Sequence, residues 1–204
     1  MSFASPAPLF ALALLVTGCN VLGHTQLGPT VASRDGTPVG GVEANANMYV
    51  DMQPADDFAN RRPLPETARR WGLATGAYLR GSPLGVGLGM RPGIFVGSTD
   101  AKLAILGTAG LSLGLQTLEG TTYGNVGLYG MLAAGIPVRK TYDPKALVLC
   151  RSLTYVTIGL QGHLDRLPAL EESIGTLGLL VGVLGLEDSG APSDRKNPDV
   201  DCPR

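Results

Sequence analysis

Residues 39–51, VGGVEANANMYVD, alternate without a break. Val42, Ala44, Ala46, Met48 and Val50 fall on one side, and Glu43, Asn45, Asn47, Tyr49 and Asp51 on the other. A period of two belongs to a β-strand, whose successive side chains point to opposite faces. Residues 84–97, LGVGLGMRPGIFVG, repeat the pattern with a harsher contrast. Leu84, Val86, Leu88, Met90, Ile94 and Val96 share one face; Gly85, Gly87, Gly89, Arg91, Gly93 and Gly97 share the other with Phe95. Glycine costs conformational entropy and covers nothing, so a glycine row is a poor skin for a soluble sheet. It suits a crowded interior, with the leucine row turned to lipid. The composition agrees. Glycine, at 29 residues, is about twice its usual share, and charged residues make up 16% of the chain against roughly 25% in soluble domains.

Weaker alternation runs through 102–118, 122–138, 146–163 and 174–187, with shorter candidates at 25–33 and 71–80. Turn signals separate them: SRDGTP, RGSP, GSTD, LEGTT and TYDPK. The segment 52–70, with three prolines and many charges, reads as one long loop. The expected fold is all-β, an antiparallel meander of about eight strands that closes into a small barrel over residues 25–187, followed by a polar tail, 188–204. An eight-stranded barrel has an interior just wide enough for side chains. Small inward residues would leave room there for large ones such as Arg91, Tyr129, Arg151 and Tyr155. Glu43, Asn45, Arg91 and Arg151 are the polar residues expected to face the lumen. The alternative is a set of glycine-rich membrane helices, because Gly110-x-x-x-Gly114 and Gly178-x-x-x-Gly182 have the spacing of packed helices. Residues 166–180 look most helical, with Pro168 placed as at a helix start. By pattern alone the chain resembles the small eight-stranded outer-membrane barrels.

The apolar run PLFALALLVTG, 8–18, has the length of a signal-peptide core and is too short to span a bilayer as a helix. It ends in Val16-Thr17-Gly18-Cys19, which resembles the lipobox of bacterial lipoproteins. The resemblance implies removal of residues 1–18, acylation of Cys19, a tether over 19–24, and membrane lipid as the first partner. Asn20, in place of an aspartate, implies outer-membrane delivery. An ordinary secretory signal with a chance cysteine is the alternative. If Cys19 carries lipid, Cys150 and Cys202 are left as a pair in an oxidising compartment, either bridged or as two free thiols.

No reaction is legible. With 16 basic and 17 acidic residues, the net charge of −1 argues against a general nucleic-acid binder. No Cys/His cluster asks for zinc, and no cofactor is expected. The glycines 85, 87 and 89 lack the spacing of a dinucleotide fingerprint. His24 and His163 are the only histidines; His163-x-Asp165 has the residue types of an oriented general base, but no Gly-x-Ser-x-Gly elbow supplies a nucleophile. Asp56-Asp57 and Glu171-Glu172 are neighbours that a strand would point apart. Arg61-Arg62 and Arg69-Arg70 form a basic cluster diluted by acids, expected in a solvated loop. Three roles follow: an envelope lipoprotein with a structural or interaction role, a lipid-tethered periplasmic barrel binding an apolar ligand, or an enzyme whose cleft gathers His163, Asp165 and a hydroxyl.

Overall fold

Alternating side chains dictate strands, and strands with no polar edge to expose must pair all round. The computed structural model describes residues 21–34, 36–52, 68–100, 102–142 and 149–189. They form β1 (Val21–Arg34), β2 (Thr37–Asp51), β3 (Ala68–Ser82), β4 (Gly85–Met90), β5 (Gly93–Thr99), β6 (Ala104–Leu118), β7 (Thr121–Tyr142), β8 (Leu149–Leu167) and β9 (Glu172–Ser189). Every pairing is antiparallel, and β1 pairs with both β2 and β9, so the sheet closes on itself. The nine segments fill eight positions. β4 and β5 are one strand: both lie between β3 and β6, and the register carries through from Met90↔Ala77 to Gly93↔Ala74. Pro92 has no N–H to give, yet the seam holds. Arg91 N–H donates to the Gly76 carbonyl at 2.8 Å, and the Pro92 carbonyl accepts from Leu111 at 2.9 Å.

The expected barrel is therefore present, and no described residue is helical. Residues 166–180, read as the most helix-like, instead end β8, turn at 168–171 and begin β9. Pro168 serves the turn, and the alternation of Ile174, Thr176 and Leu180 inward with Leu177, Leu179 and Val181 outward overrides it. The long loop is shorter than expected. Residues 68–70 already belong to β3, because Arg70 has a partner inside the barrel. Leu84 does not join the outer apolar row either; it sits in the β3–β4 turn and packs over the lumen.

The chain is inside-out relative to a soluble protein. Leu88, Met90, Ile94, Leu128, Leu132 and Leu164 are half exposed or more on the outer wall. Six charged side chains, Glu43, Asp51, Arg70, Arg80, Arg91 and Asp165, are buried within. The interior is layered. An apolar layer with Leu22, Tyr49, Phe95, Leu153 and Leu186 fills the end where β1 begins and β9 stops. At the opposite end Ala32, Leu118, Leu167 and Ile174 make a second layer, with Val39, Leu84, Tyr123 and Leu170 over it. Polar side chains fill the space between, and Asp51, Arg70 and Thr99 lie on the rim side of the first layer.

Candidate functional site in the barrel lumen

The polar layer is built by strand parity. Odd positions of β2, β4–β5, β7 as far as Pro137, and β8, and even positions of β1, β3, β6 and β9 point inward; a bulge after Pro137 shifts the register of β7. That brings Glu43 and Asn45 from β2, Arg91 from the β4–β5 junction, and Gln161 and His163 from β8 to one place. Arg91 Nη2 donates to Glu43 Oε1 at 2.5 Å and to His163 Nε2 at 2.8 Å, and Nη1 donates to Gln161 Oε1 at 3.1 Å. Gln161 Nε2 donates to the same Glu43 oxygen at 2.5 Å, and Asn45 Nδ2 donates to Gln161 Oε1 at 2.9 Å. A guanidinium only donates, so in the shorter contact His163 Nε2 accepts; the same Nε2 stands 3.5 Å from Glu43 Oε1. Tyr78 faces the guanidinium, its ring centroid 4.2 Å from Arg91 Cζ, and Tyr129 lies beyond at 5.5 Å.

Two further charged groups flank this one. Toward the tight turns, Arg80 donates to Asp165 Oδ2 at 2.6 Å and to Thr176 Oγ1 at 2.7 Å. Toward the other rim, Arg70 donates to Asp51 Oδ2 at 2.9 Å and to Thr99 Oγ1 at 2.7 Å. Among the described residues, three buried cations thus meet three carboxylates. Pairing is what such a low-dielectric interior demands, since an unpaired buried charge is far costlier than a paired one. His24 lies apart, with Nε2 2.8 Å from Thr157 Oγ1 and Nδ1 3.3 Å from Tyr49 Oη.

The inward glycines are seats for these side chains. A Cβ on Gly114 would strike the Leu88 carbonyl and lie 2.8 Å from Tyr78 Oη. One on Gly110 would lie 2.9 Å from the Tyr129 ring, and one on Gly87 2.5 Å from Gln116 Oε1. The glycine face of the sequence is thus the mould of the lumen's largest residues.

Of the expected lumen residues, Glu43, Asn45 and Arg91 are brought together. Arg151 and Cys150 fall in β8, where side chains are not described; Cys19, Cys202, Asp56, Asp57, Arg61 and Arg62 lie outside the described residues. Arg70 is inside the barrel rather than in a solvated loop, while Arg69 faces outward. His163 and Asp165 do face one lumen but bind different partners, Arg91 and Arg80. Ser112, the one serine among the buried described residues, donates its Oγ to Tyr78 Oη at 3.3 Å. Among the described residues no three of His, Cys, Asp and Glu assemble as a metal would need. Sequence reading passed over Arg80, Gln161 and Tyr78. Parity would have turned each inward, but not shown what it meets.

The arrangement defines a class: a closed all-β barrel of the outer-membrane kind, with a side-chain-filled lumen. No protein-family model matches the chain, and no curated protein matches it. Solved structures do. Neisserial surface protein A (NspA) superposes with a TM-score of 0.50 at 12% identity, over 82% of this chain and 96% of that one. The outer membrane enzyme PagL gives 0.44 at 10% identity, over 77% and 97%. Ail, the attachment invasion locus protein of Yersinia pestis, gives 0.39 at 10% identity, over 81% and 98%. At such identity the likeness to NspA is one of fold.

Proposed function

We propose that this chain is an envelope lipoprotein whose barrel spans the outer membrane in a structural or interaction role, without catalysis. The observation that carries the reading is the inverted wall, apolar outside and ion-paired inside. Water would not tolerate that surface, whereas hydrocarbon favours it. Each long strand exceeds the roughly 9–11 residues that cross a bilayer. Cys19 stands two residues before Val21, the first residue of β1. An acylated Cys19 would therefore enter the bilayer at the rim where both ends of the barrel emerge. The non-catalytic part of the reading rests on the lumen, where His163, Glu43 and Asp165 each contact a buried arginine and no described hydroxyl joins His163 and Asp165.

The periplasmic ligand-binding barrel is the weaker reading. Its cavity would occupy the space that Arg91, Tyr49, Tyr155 and Phe95 fill at no more than 1% exposure. Fractionation decides. A Cys19→Ser variant exported through a cleavable signal should stay in the outer membrane through a carbonate wash. Its release as a soluble periplasmic protein would leave the acyl chains as the only anchor and reject the spanning barrel.

A further inference from the structure

The two ends of the barrel are built differently. The eight strand positions, an even number, bring the start of β1 and the end of β9 to one end, which also carries the connections 52–67, 100–103 and 143–148. The first of these connections alone holds Asp56, Asp57, Arg61, Arg62 and Glu66. Arg69, Lys102 and Arg139 stand exposed at the same end. The opposite end is compact. Its connections, 35–36, 83–84, 119–120 and 168–171, contain three charged residues, Asp35, Glu119 and Glu171. Backbone groups in the turns find partners close by. Leu170 and Glu171 donate their N–H groups to the Leu167 and Pro168 carbonyls at 3.0 and 3.4 Å, and Leu84 N–H donates to Ser82 Oγ at 3.2 Å. Arg34 donates to both carboxylate oxygens of Glu172, at 2.7 and 3.0 Å, with Glu119 3.8 Å away. Val39, Leu84, Tyr123 and Leu170 roof this end with hydrocarbon.

We infer that the tight-turn end faces the cell exterior and the end where β1 begins faces the periplasm, so that the surface this chain offers to a macromolecular partner is periplasmic. The inference rests on the spanning barrel proposed above. A barrel that enters the membrane from the periplasm carries one set of connections through hydrocarbon. Each charge and each unbonded backbone group taken along opposes the passage. The turn end has few of either; the other end has many charges. The tether points the same way. Cys19 stands two residues before Val21, so acyl chains attached there before insertion stay in the leaflet of entry. Outer-membrane barrels usually keep short turns inside and long loops outside. Here that arrangement would send 52–67, and the lipid on residue 19 with it, across the bilayer. The loop rule and the cost of crossing therefore conflict in this chain, and the cost decides. The result is an outer face made of four tight turns. The long connection and the exposed Arg69, Lys102 and Arg139 lie on the inner face.

The test is the accessibility of single cysteines in intact cells. Full-length protein carries Cys150→Ala and Cys202→Ala, with Cys19 kept for its lipid. Glu119→Cys marks the turn end and Lys102→Cys the other; both side chains are exposed, and neither belongs to the lumen network. The probe is a maleimide on a polyethylene glycol chain too large to cross the outer membrane, read as a gel shift. Glu119→Cys should label almost completely in intact cells. Lys102→Cys should stay unlabelled there and label fully once the outer membrane is permeabilised. Glu171→Cys and Arg139→Cys are a second pair, used where heat-modifiable migration shows that one of the first did not fold. The reverse pattern overturns the orientation and leaves the spanning barrel standing. Partial labelling of both sites in intact cells, a mixture of two orientations, overturns it as well. Both sites fully labelled, or both protected until permeabilisation, would mean that no barrel crosses the membrane, which rejects the spanning reading and the orientation together.

Discussion

Arg91 shows how much one buried side chain organises here. Its guanidinium touches Glu43, Gln161, His163 and Tyr78, side chains drawn from three strands. Removing one partner of such a pair strands the other charge, which costs about 3–5 kcal/mol. Glu43→Gln and Arg91→Met should each lose that much in urea unfolding of the folded barrel in detergent. The double variant should lose clearly less than the sum, because no bare charge remains. Additive losses would show that the two groups do not act as a pair. The glycine seats make a second residue-scale expectation. Gly114→Val must displace Tyr78 or the β4 backbone, and overpacking of this kind costs about 1–3 kcal/mol. Gly124 has open space around its Cβ position, so Gly124→Val should leave unfolding close to wild type.

At the scale of elements, the connections divide by end. The β6–β7 turn is two residues, Glu119 and Gly120, both left-handed at φ 50° and 83°. Such turns match the twist of the strands they join. Gly120→Val, forcing a branched side chain into that conformation, should slow refolding and lower stability by about 1 kcal/mol or more. The β5–β6 connection is tied differently. Asp100 Oδ1 accepts from the backbone N–H groups of Lys102 and Leu103, both at 2.6 Å. Those bonds hold its pKa below the ordinary carboxylate value. A depressed carboxylate stabilises the fold above its unfolded pKa and loses that contribution as pH falls through the folded one. Asp100→Asn should therefore reduce the loss of stability seen on acidification below the ordinary carboxylate range, measured as unfolding midpoints across acid pH. On the wall, Leu128→Arg, 61% exposed in the wild type, places a charge on the outer apolar face. It should cost about 2–4 kcal/mol in a bilayer if it lies at the midplane.

The whole molecule puts its tight turns on the end away from where β1 begins and β9 stops. The connections 35–36, 83–84, 119–120 and 168–171 are all short there. The connections between β2 and β3, β5 and β6, and β7 and β8 leave from the end where β1 begins and β9 stops. The surface offered at the turn end is therefore small. As a closed barrel with no free edge it should resist detergent at room temperature. Unheated samples should migrate apart from boiled ones on a gel, and identical migration would argue against a closed β-barrel.

The alternation in 39–51 and 84–97 was sufficient for strands and, Leu84 apart, for which residues share a face; the number of strands was legible only as about eight. Period two and the turn residues are local properties, written in neighbouring positions. The polarity of the wall was legible too, because a glycine row beside a leucine row makes sense only with the glycines inside. What tertiary structure alone decided is who meets whom across the lumen. Glu43 and Arg91 lie 48 residues apart, and Arg91 and Gln161 lie 70 apart. Their meeting depends on the stagger of eight strands around a ring, a global quantity that no local pattern carries. Arg70 looked like loop charge because its partners Asp51 and Thr99 sit on other strands.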